Sequence, residues 1–214
     1  MNNKYSTSEL DGLNLITKDM KNILSVGIST NGNAEIEMVN RFEGIVTATT
    51  IDKNGLEKTK RIIEENNLTN RINLKLEDVR DKNIYPDNYF DYIYARLVLH
   101  YLSDKELLEV LKEFKRILKD NGLLYIVVRS DKCSESIDGF INYDEITGMI
   151  EHKSFNGNIF KRNFHSIESI SKAIETNDLK IESIKDYDEV LYADYERTEE
   201  SKARNNLIEV ICCK

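Results

Sequence analysis

The sequence predicts an α/β protein built on a doubly wound, Rossmann-like, mostly parallel sheet. Five apolar runs of strand length alternate with amphipathic stretches of helical period through residues 22–130, as in parallel strands joined by crossover helices. Two more strand-like runs close the chain with no helical stretch between them, which predicts an antiparallel pair at the sheet edge. Because 214 residues suit one domain, we predict a single domain, 1–214, with a seven-stranded sheet whose last strand is antiparallel.

The first five strands and the helices between them can be placed in order. The predicted parallel strands are the apolar runs at 22–27, 44–52, 71–79, 89–95 and 122–130. The predicted helices lie at 33–42, 53–67 and 103–122. In the third helix, Ser103 and Glu106 have the spacing of a capping box, and Asn121-Gly122 is predicted to end the helix.

The last third of the chain has a different texture. Residues 133–165 show weak periodicity and several turn signals, of which Asn156-Gly157 predicts a hairpin turn. A short helix follows over 165–178, with Ser166 as its predicted cap. The runs at 179–190 and 205–213 are the two closing strands.

Composition limits the partners and the compartment. The net charge is −8 and no basic stripe is present, which disfavours nucleic acid as a partner. No run reaches the length of a membrane span, the N-terminus is too polar for a signal peptide, and three cysteines without metal-type spacing indicate reduced thiols. We therefore predict a cytoplasmic protein without a membrane segment or a metal site. The sequence does not indicate an oligomeric state.

The residues that follow the first three strands suggest a cofactor. Gly27 to Gly32 reads G-I-S-T-N-G, a GxGxxG pattern in which Ser29 replaces the middle glycine and disfavours a pyrophosphate. Asp52 follows the second strand, where an acid can accept hydrogen bonds from a ribose, and Asp78 follows the third, where an acid can accept one from an adenine amino group. A ligand with one ribose, one adenine and no pyrophosphate fits this pattern, and S-adenosylmethionine is such a molecule.

Four stretches of the chain resemble the class I S-adenosylmethionine-dependent methyltransferases. They are "ILSVGIST", "TATTIDKNGLEKTK", "LKLEDVRD" and "PDNYFDYIYARLVLHYLSDKELLEVLKEFKRILKDNGLLYIVV". The chain departs from the family at Ser25, where an acid is usual, and at Ser29 and Asn31, where glycines are usual. We therefore expect Ser25→Asp and Ser29→Gly to tighten cofactor binding. The cofactor contacts that the resemblance implies are Gly27, Ile28, Ser29, Gly32, Asp52, Lys53, Asp78, Val79, Ala95, Arg96 and Tyr101.

The methyl acceptor and the catalytic groups are less marked in the sequence. Methyl transfer relies on positioning, with a base where the nucleophile carries a proton. His100 and His165 are the candidate bases, although His100 also has the spacing of a packed helix residue and His165 that of a helix cap or an exposed residue. No Asx-Pro-Pro-Tyr motif follows the fourth strand, which leaves a small molecule as the predicted acceptor.

Two segments are predicted to enclose the site. Residues 1–20 form an expected N-terminal cap over the cofactor. Residues 133–165 form an expected substrate lid that contains Tyr143, Phe155, Phe160 and Phe164. Ordinary packing of these aromatic residues against the sheet is the simpler interpretation.

Two other functions remain open from the sequence. The first is a catalytically inactive relative, a binding or partner protein in which the fold is kept and the loop at 27–32 has diverged. The second is an NAD-dependent oxidoreductase, which Ser29 disfavours.

Overall fold

The main sheet of the protein has seven strands. The computed structural model describes residues 5–82, 84–154, 157–192, 200–201 and 203–214. The strands of this sheet are β1 (Asn22–Val26), β2 (Ile45–Thr50), β3 (Ile72–Leu76), β4 (Phe90–Arg96), β5 (Leu118–Arg129), β9 (Lys180–Glu189) and β10 (Asn205–Cys213). Their order is β3-β2-β1-β4-β5-β10-β9. Strands β1 to β5 are parallel, and β10 is antiparallel to β5 and β9, which confirms the predicted fold class.

Helices cover both faces of this sheet. They are α1 (Thr7–Asn14), α2 (Asn33–Val39), α3 (Lys53–Glu65), α4 (Asp104–Ile117), α5 (Ser134–Ile137) and α6 (Ile167–Thr176). Buried residues of α1, α2 and α3 share one apolar cluster with the sheet, and those of α4 and α6 share another. The result is the three-layer arrangement of a doubly wound fold.

The end of α4 differs from the prediction. The capping box of Ser103 and Glu106 is present, but the helix ends at Ile117 rather than at Asn121-Gly122. Strand β5 begins directly at Leu118, and the pairing with β4 then skips four residues before it resumes at Leu123. Asn121, with φ 64°, lies in this irregular stretch, so the Asn-Gly pair turns the chain inside the strand.

A second, three-stranded sheet lies within the predicted lid. Its strands are β6 (Phe140–Asp144), β7 (Met149–Lys153) and β8 (Ile159–Arg162), all antiparallel. The hairpin between β7 and β8 agrees with the prediction, while Asn156 and Phe155 lie outside the described residues. After β8, the Asn163 backbone N–H donates to the His100 carbonyl, and the His165 backbone N–H donates to the Arg129 carbonyl. The small sheet therefore lies against the carboxyl ends of β4 and β5.

Helix α1 is fastened to the main sheet by buried polar contacts. The backbone N–H and the hydroxyl of Ser8 both donate to the Glu189 carboxylate at 2.6 Å. Arg96 Nε donates to Ser8 Oγ at 2.6 Å, and its Nη2 lies 3.2 Å from the same carboxylate. The Tyr125 hydroxyl donates to the Ser8 carbonyl at 2.6 Å. In the described part of the chain, no helix has the length and apolarity needed to cross a membrane.

Candidate functional site

A cavity of about 330 Å³ opens at the carboxyl ends of β1, β2 and β3 and beside the turn that follows β4. The strand order reverses between β1 and β4, and ligands of open α/β sheets bind at such a switch point. The cavity is lined by Val26, Gly27, Thr49, Thr50, Ile51, Glu77, Asp78, Val79, Arg80, Val98, Tyr101 and Leu102. The Ile51 side chain is 72% exposed at this position, so the cavity offers an apolar surface to a ligand.

Gly27 turns the chain at the mouth of the cavity. Its φ is +78°, and a Cβ placed on it would lie 2.4 Å from Val98 Cγ2. The N–H groups of Gly27 and Ile28 both donate to the Thr49 carbonyl, at 2.9 and 3.0 Å. Only glycine fits here without strain, because the backbone is left-handed and Val98 fills the space of a side chain.

Asp78 lines the cavity, and both of its carboxylate oxygens accept hydrogen bonds from Arg80. Arg80 Nε donates to Oδ1 at 2.9 Å and Nη2 donates to Oδ2 at 2.6 Å. These hydrogen bonds hold the pKa of Asp78 below its usual value. Because each carboxylate oxygen has two acceptor positions, the ion pair leaves Asp78 able to accept a further hydrogen bond from a ligand.

Asp52, the predicted ribose contact, caps a helix in this structure. It is the N-cap of α3, where Oδ1 accepts the Asn54 backbone N–H at 3.0 Å, and it does not line the cavity. Thr50, the last residue of β2, lines the cavity instead. Thr50 Oγ1 accepts the Asp52 backbone N–H at 3.1 Å, which leaves the hydroxyl proton available for donation.

A buried carboxylate that the sequence analysis missed organises the loop after β1. Ser25 Oγ donates to Glu35 Oε1 at 2.7 Å, and Ser29 Oγ donates to Glu35 Oε2 at 2.5 Å. The Ser29 backbone N–H also donates to Glu35 at 3.2 Å, while Ala34 N–H donates to Ser29 Oγ at 2.9 Å. Ser25 and Glu35 are fully buried. Ser25 thus stands where the methyltransferases that the sequence resembles usually carry an acid, but a carboxylate from α2 lies beside the same loop.

A helical signal could have identified Glu35. The other buried positions of α2 are Ala34, Met38 and Val39, so Glu35 shares the apolar face of this helix by its spacing. A charged residue on such a face needs a partner, and the two serines supply it.

Several residues that the resemblance implied as cofactor contacts lie outside the cavity lining. They are Ile28, Ser29, Gly32, Lys53, Ala95 and Arg96, in addition to Asp52. Arg96 is the last residue of β4, and its guanidinium holds α1 and Glu189. Ala95 is fully buried, and Lys53 is exposed on the first turn of α3. The implied contacts that do line the cavity are Gly27, Asp78, Val79 and Tyr101.

Neither candidate base lines this cavity. His100 is 1% exposed, and burial lowers its pKa well below the usual value, although its ring contacts that of Tyr101 at 4.4 Å. His165 lines a separate cavity of about 280 Å³ between α4 and α6. Burial lowers the pKa of His165 to about 4. A buried, neutral imidazole away from the cavity is poorly placed to accept a proton from an acceptor bound beside the cofactor.

Comparison with known proteins matches part of the chain to one domain family. Residues 24–126, from β1 into β5, match the model of the methyltransferase domain family. Comparison with curated protein sequences found no significant match.

Solved structures share the whole fold of this chain at low sequence identity. An S-adenosylmethionine-dependent methyltransferase from Methanosarcina mazei has a TM-score of 0.74 and 16% identity, covering 94% of this chain and 95% of its own. One from Clostridium acetobutylicum has a TM-score of 0.65 and 16% identity, covering 94% and 86%. The geranyl diphosphate C-methyltransferase of Streptomyces coelicolor has a TM-score of 0.65 and 14% identity, covering 95% and 74%. Residues 24–126 are therefore similar to the methyltransferase domain family, and the chain has the same fold as these S-adenosylmethionine-dependent methyltransferases.

Proposed function

We propose that this protein binds S-adenosylmethionine in the 330 Å³ cavity and transfers its methyl group to a small-molecule acceptor. The observation that carries the proposal is the cavity itself, which lies at the switch point and brings together Gly27, Asp78 and Val79. When bound, S-adenosylmethionine supplies an electrophilic methyl group on a sulfonium. The fold and the matched domain family support this cofactor over a nicotinamide dinucleotide.

In this proposal, different lining residues bind different parts of the cofactor. Asp78 accepts a hydrogen bond from the adenine amino group, while Ile51 and Val79 supply apolar surface to the ring. Thr50 donates its hydroxyl to the ribose, in place of the carboxylate first expected from Asp52. Gly27 lets the backbone pass close to the remainder of the cofactor.

The acceptor is proposed to bind between the cavity and the segments that flank it. Tyr101 borders the cavity, and the predicted cap and lid, 1–20 and 133–165, approach the carboxyl edge of the sheet through α1 and β8. Catalysis then depends mainly on alignment of the acceptor with the methyl group. The Streptomyces coelicolor relative was solved with geranyl diphosphate, which supports a small molecule as the class of acceptor.

A labelling experiment tests this function. The purified protein is incubated with S-adenosylmethionine carrying a labelled methyl group and with pools of small metabolites, beside an Asp78→Ala variant. We expect label to appear in a small molecule with the wild type and to fall at least tenfold with the variant, because an adenine contact is lost.

The same experiment separates the alternatives. Cofactor binding without transfer to any pool would favour an inactive relative. Equal transfer by the wild type and the Asp78→Ala variant would contradict the assigned cavity.

A further inference from the structure

The three histidines of the chain meet in one buried interface. His100 follows β4, His152 lies on β7 and His165 lies just beyond β8. Their exposures are 1%, 0% and 2%. His152 and His165 both lie close enough to His100 to contribute to the lowering of its pKa. The small sheet and the carboxyl edge of the main sheet thus bury three imidazoles together.

Two arginines in the same interface share one carboxylate. Arg162 Nη1 lies 2.5 Å from Glu135 Oε2, and Arg129 Nη1 lies 3.0 Å from the same oxygen. The side chains of all three residues are close to nine-tenths buried. Burial lowers the pKa of each histidine and so keeps the imidazoles neutral. The two guanidinium groups in direct contact with one carboxylate therefore leave one positive charge unbalanced. A buried charge of this kind is costly unless an anion pairs with it.

The unpartnered polar atoms of the protein concentrate here. In the part of the chain that the structure describes, nine buried side-chain nitrogen or oxygen atoms find no hydrogen-bond partner. Six of them belong to this interface: Nε of Arg129 and of Arg162, Nδ1 of His100, Nε2 of His165 and both ring nitrogens of His152. Buried polar groups are normally satisfied, so a cluster of exceptions indicates a place for a polar ligand. We call His100, Arg129, Glu135, His152, Arg162 and His165 the histidine–arginine cluster.

The histidine–arginine cluster adjoins the cofactor cavity through Tyr101. The Arg162 guanidinium lies 5.4 Å from the centre of the Tyr101 ring and 5.2 Å from that of Phe160. Tyr101 lines the cofactor cavity and is 51% exposed, and Phe160 is 39% exposed. A molecule that reaches Arg162 from the cavity would therefore pass between apolar rings. A metal is a poorer fit, since no group of histidine, cysteine or acidic side chains in the described ranges has the arrangement to hold one.

We infer that the histidine–arginine cluster binds the anionic group of the methyl acceptor, a carboxylate or a phosphate, with the apolar body of the acceptor against Tyr101 and Phe160. The two free guanidinium N–H groups donate to the anion, and the imidazoles add neutral donors. The identity of this ligand as the methyl acceptor rests on the proposed function.

Calorimetric titration with benzoate, phenyl phosphate and benzamide tests the site. We expect at least one of the two anions to bind saturably, and the preferred one identifies the group as carboxylate or phosphate. Benzamide, which matches benzoate in shape but carries no charge, should not bind. Arg162→Met should weaken anion binding by about tenfold to a hundredfold, because a charge-assisted hydrogen bond is lost. Arg41→Met, at a partly buried ion pair with Glu37 on α2, is the control and should leave binding unchanged.

A second variant keeps the test decisive if Arg162→Met does not fold. Glu135→Gln removes the carboxylate that competes for both guanidinium groups, so anion binding should become tighter. Benzamide binding equal to benzoate, or anion affinity unchanged in Glu135→Gln, would overturn the inference.

Parallel titration with S-adenosylhomocysteine separates this inference from the proposed function. Binding of the cofactor product without binding of any anion would overturn the inference alone. Anion binding without cofactor binding would keep the anion site and overturn the proposed function.

Discussion

Glu35 changes what is expected from mutations in the loop after β1. From the sequence, Ser25→Asp restores a family feature and should tighten cofactor binding. In the structure, that change would place a second carboxylate against the fully buried Glu35. Two buried carboxylates in contact repel, so one must take up a proton or the loop must move.

We therefore predict that Ser25→Asp lowers the free energy of unfolding by about 2–4 kcal/mol, since it buries an uncompensated charge. Urea denaturation measures this change. The double variant Ser25→Asp/Glu35→Gln is the control: it moves the single carboxylate from α2 to β1 and should recover most of the loss. A Ser25→Asp variant as stable as the wild type would contradict the pairing of Ser25 with Glu35.

Variants of Asp52 and Thr50 distinguish a helix-capping residue from a ligand-binding residue. Asp52→Ala removes the side-chain cap of α3 and should cost about 1 kcal/mol of stability, because the Asn54 N–H loses its acceptor. Thr50→Val should weaken S-adenosylhomocysteine binding several-fold with little effect on stability, because the lining hydroxyl is lost. Calorimetry and urea denaturation of both variants measure the two effects. The assignment is wrong if Asp52→Ala weakens ligand binding more than Thr50→Val does.

The limits of sequence reasoning at this scale are physical. The place of Gly27, Asp78 and Tyr101 in the cavity lining could be predicted, because residues at the carboxyl ends of parallel strands meet at one edge of the sheet. Arg96 lies at the same edge of the sheet, but its guanidinium donates to Glu189, 93 positions later in the chain. No local sequence pattern reveals that pairing. The twenty-residue spacing identifies Asp52 as an acid after β2, but it does not reveal that Asp52 also caps α3.

Among the elements, the alternation of strands and helices was predictable and the attachment of α1 was not. Local periodicity determines β1 to β5 and α2 to α4, whereas α1 depends on Ser8, Arg96 and Glu189 from three distant parts of the chain. The end of α4 was mispredicted because Asn-Gly is a turn signal in a strand as well as after a helix.

Glu189→Ala should release α1 from the sheet. The change leaves Arg96 with one of its two acidic neighbours and removes the two carboxylate oxygens to which Ser8 donates. We therefore expect the free energy of unfolding to fall by about 3–5 kcal/mol. Hydrogen exchange of residues 7–14 should accelerate. Glu182→Ala, on the same strand but in an exposed pair with Lys180, is the matched control and should leave α1 protected. Unchanged protection of α1 in Glu189→Ala would contradict this attachment.

At the scale of the whole molecule, the buried histidines make stability depend on pH. The pKa of His165 is about 4 in the folded protein and near 6.5 when unfolded, so the unfolded chain binds the additional proton between these values. The stability is fully present above pH 6.5 and declines as the pH falls toward 4, by about 3 kcal/mol for this residue.

His165→Gln should reduce this dependence. Between pH 5 and 6.5, the slope of the unfolding free energy against pH gives the number of protons taken up on unfolding. We expect this number to fall by up to one, because glutamine does not titrate. Urea denaturation at several pH values gives the slopes. Identical slopes for wild type and variant would show that His165 is not buried as a neutral group.

The central claim is that the cavity at the switch point holds S-adenosylmethionine, and calorimetry with S-adenosylhomocysteine tests it most directly. We predict one ligand per chain for the wild type, at least tenfold weaker binding for Asp78→Asn, and no detectable binding of NAD. Asp120→Asn changes an exposed acid in the irregular stretch of β5, and this variant should bind as the wild type does. Absence of binding to the folded wild type, or tighter binding of NAD than of S-adenosylhomocysteine, would contradict the account.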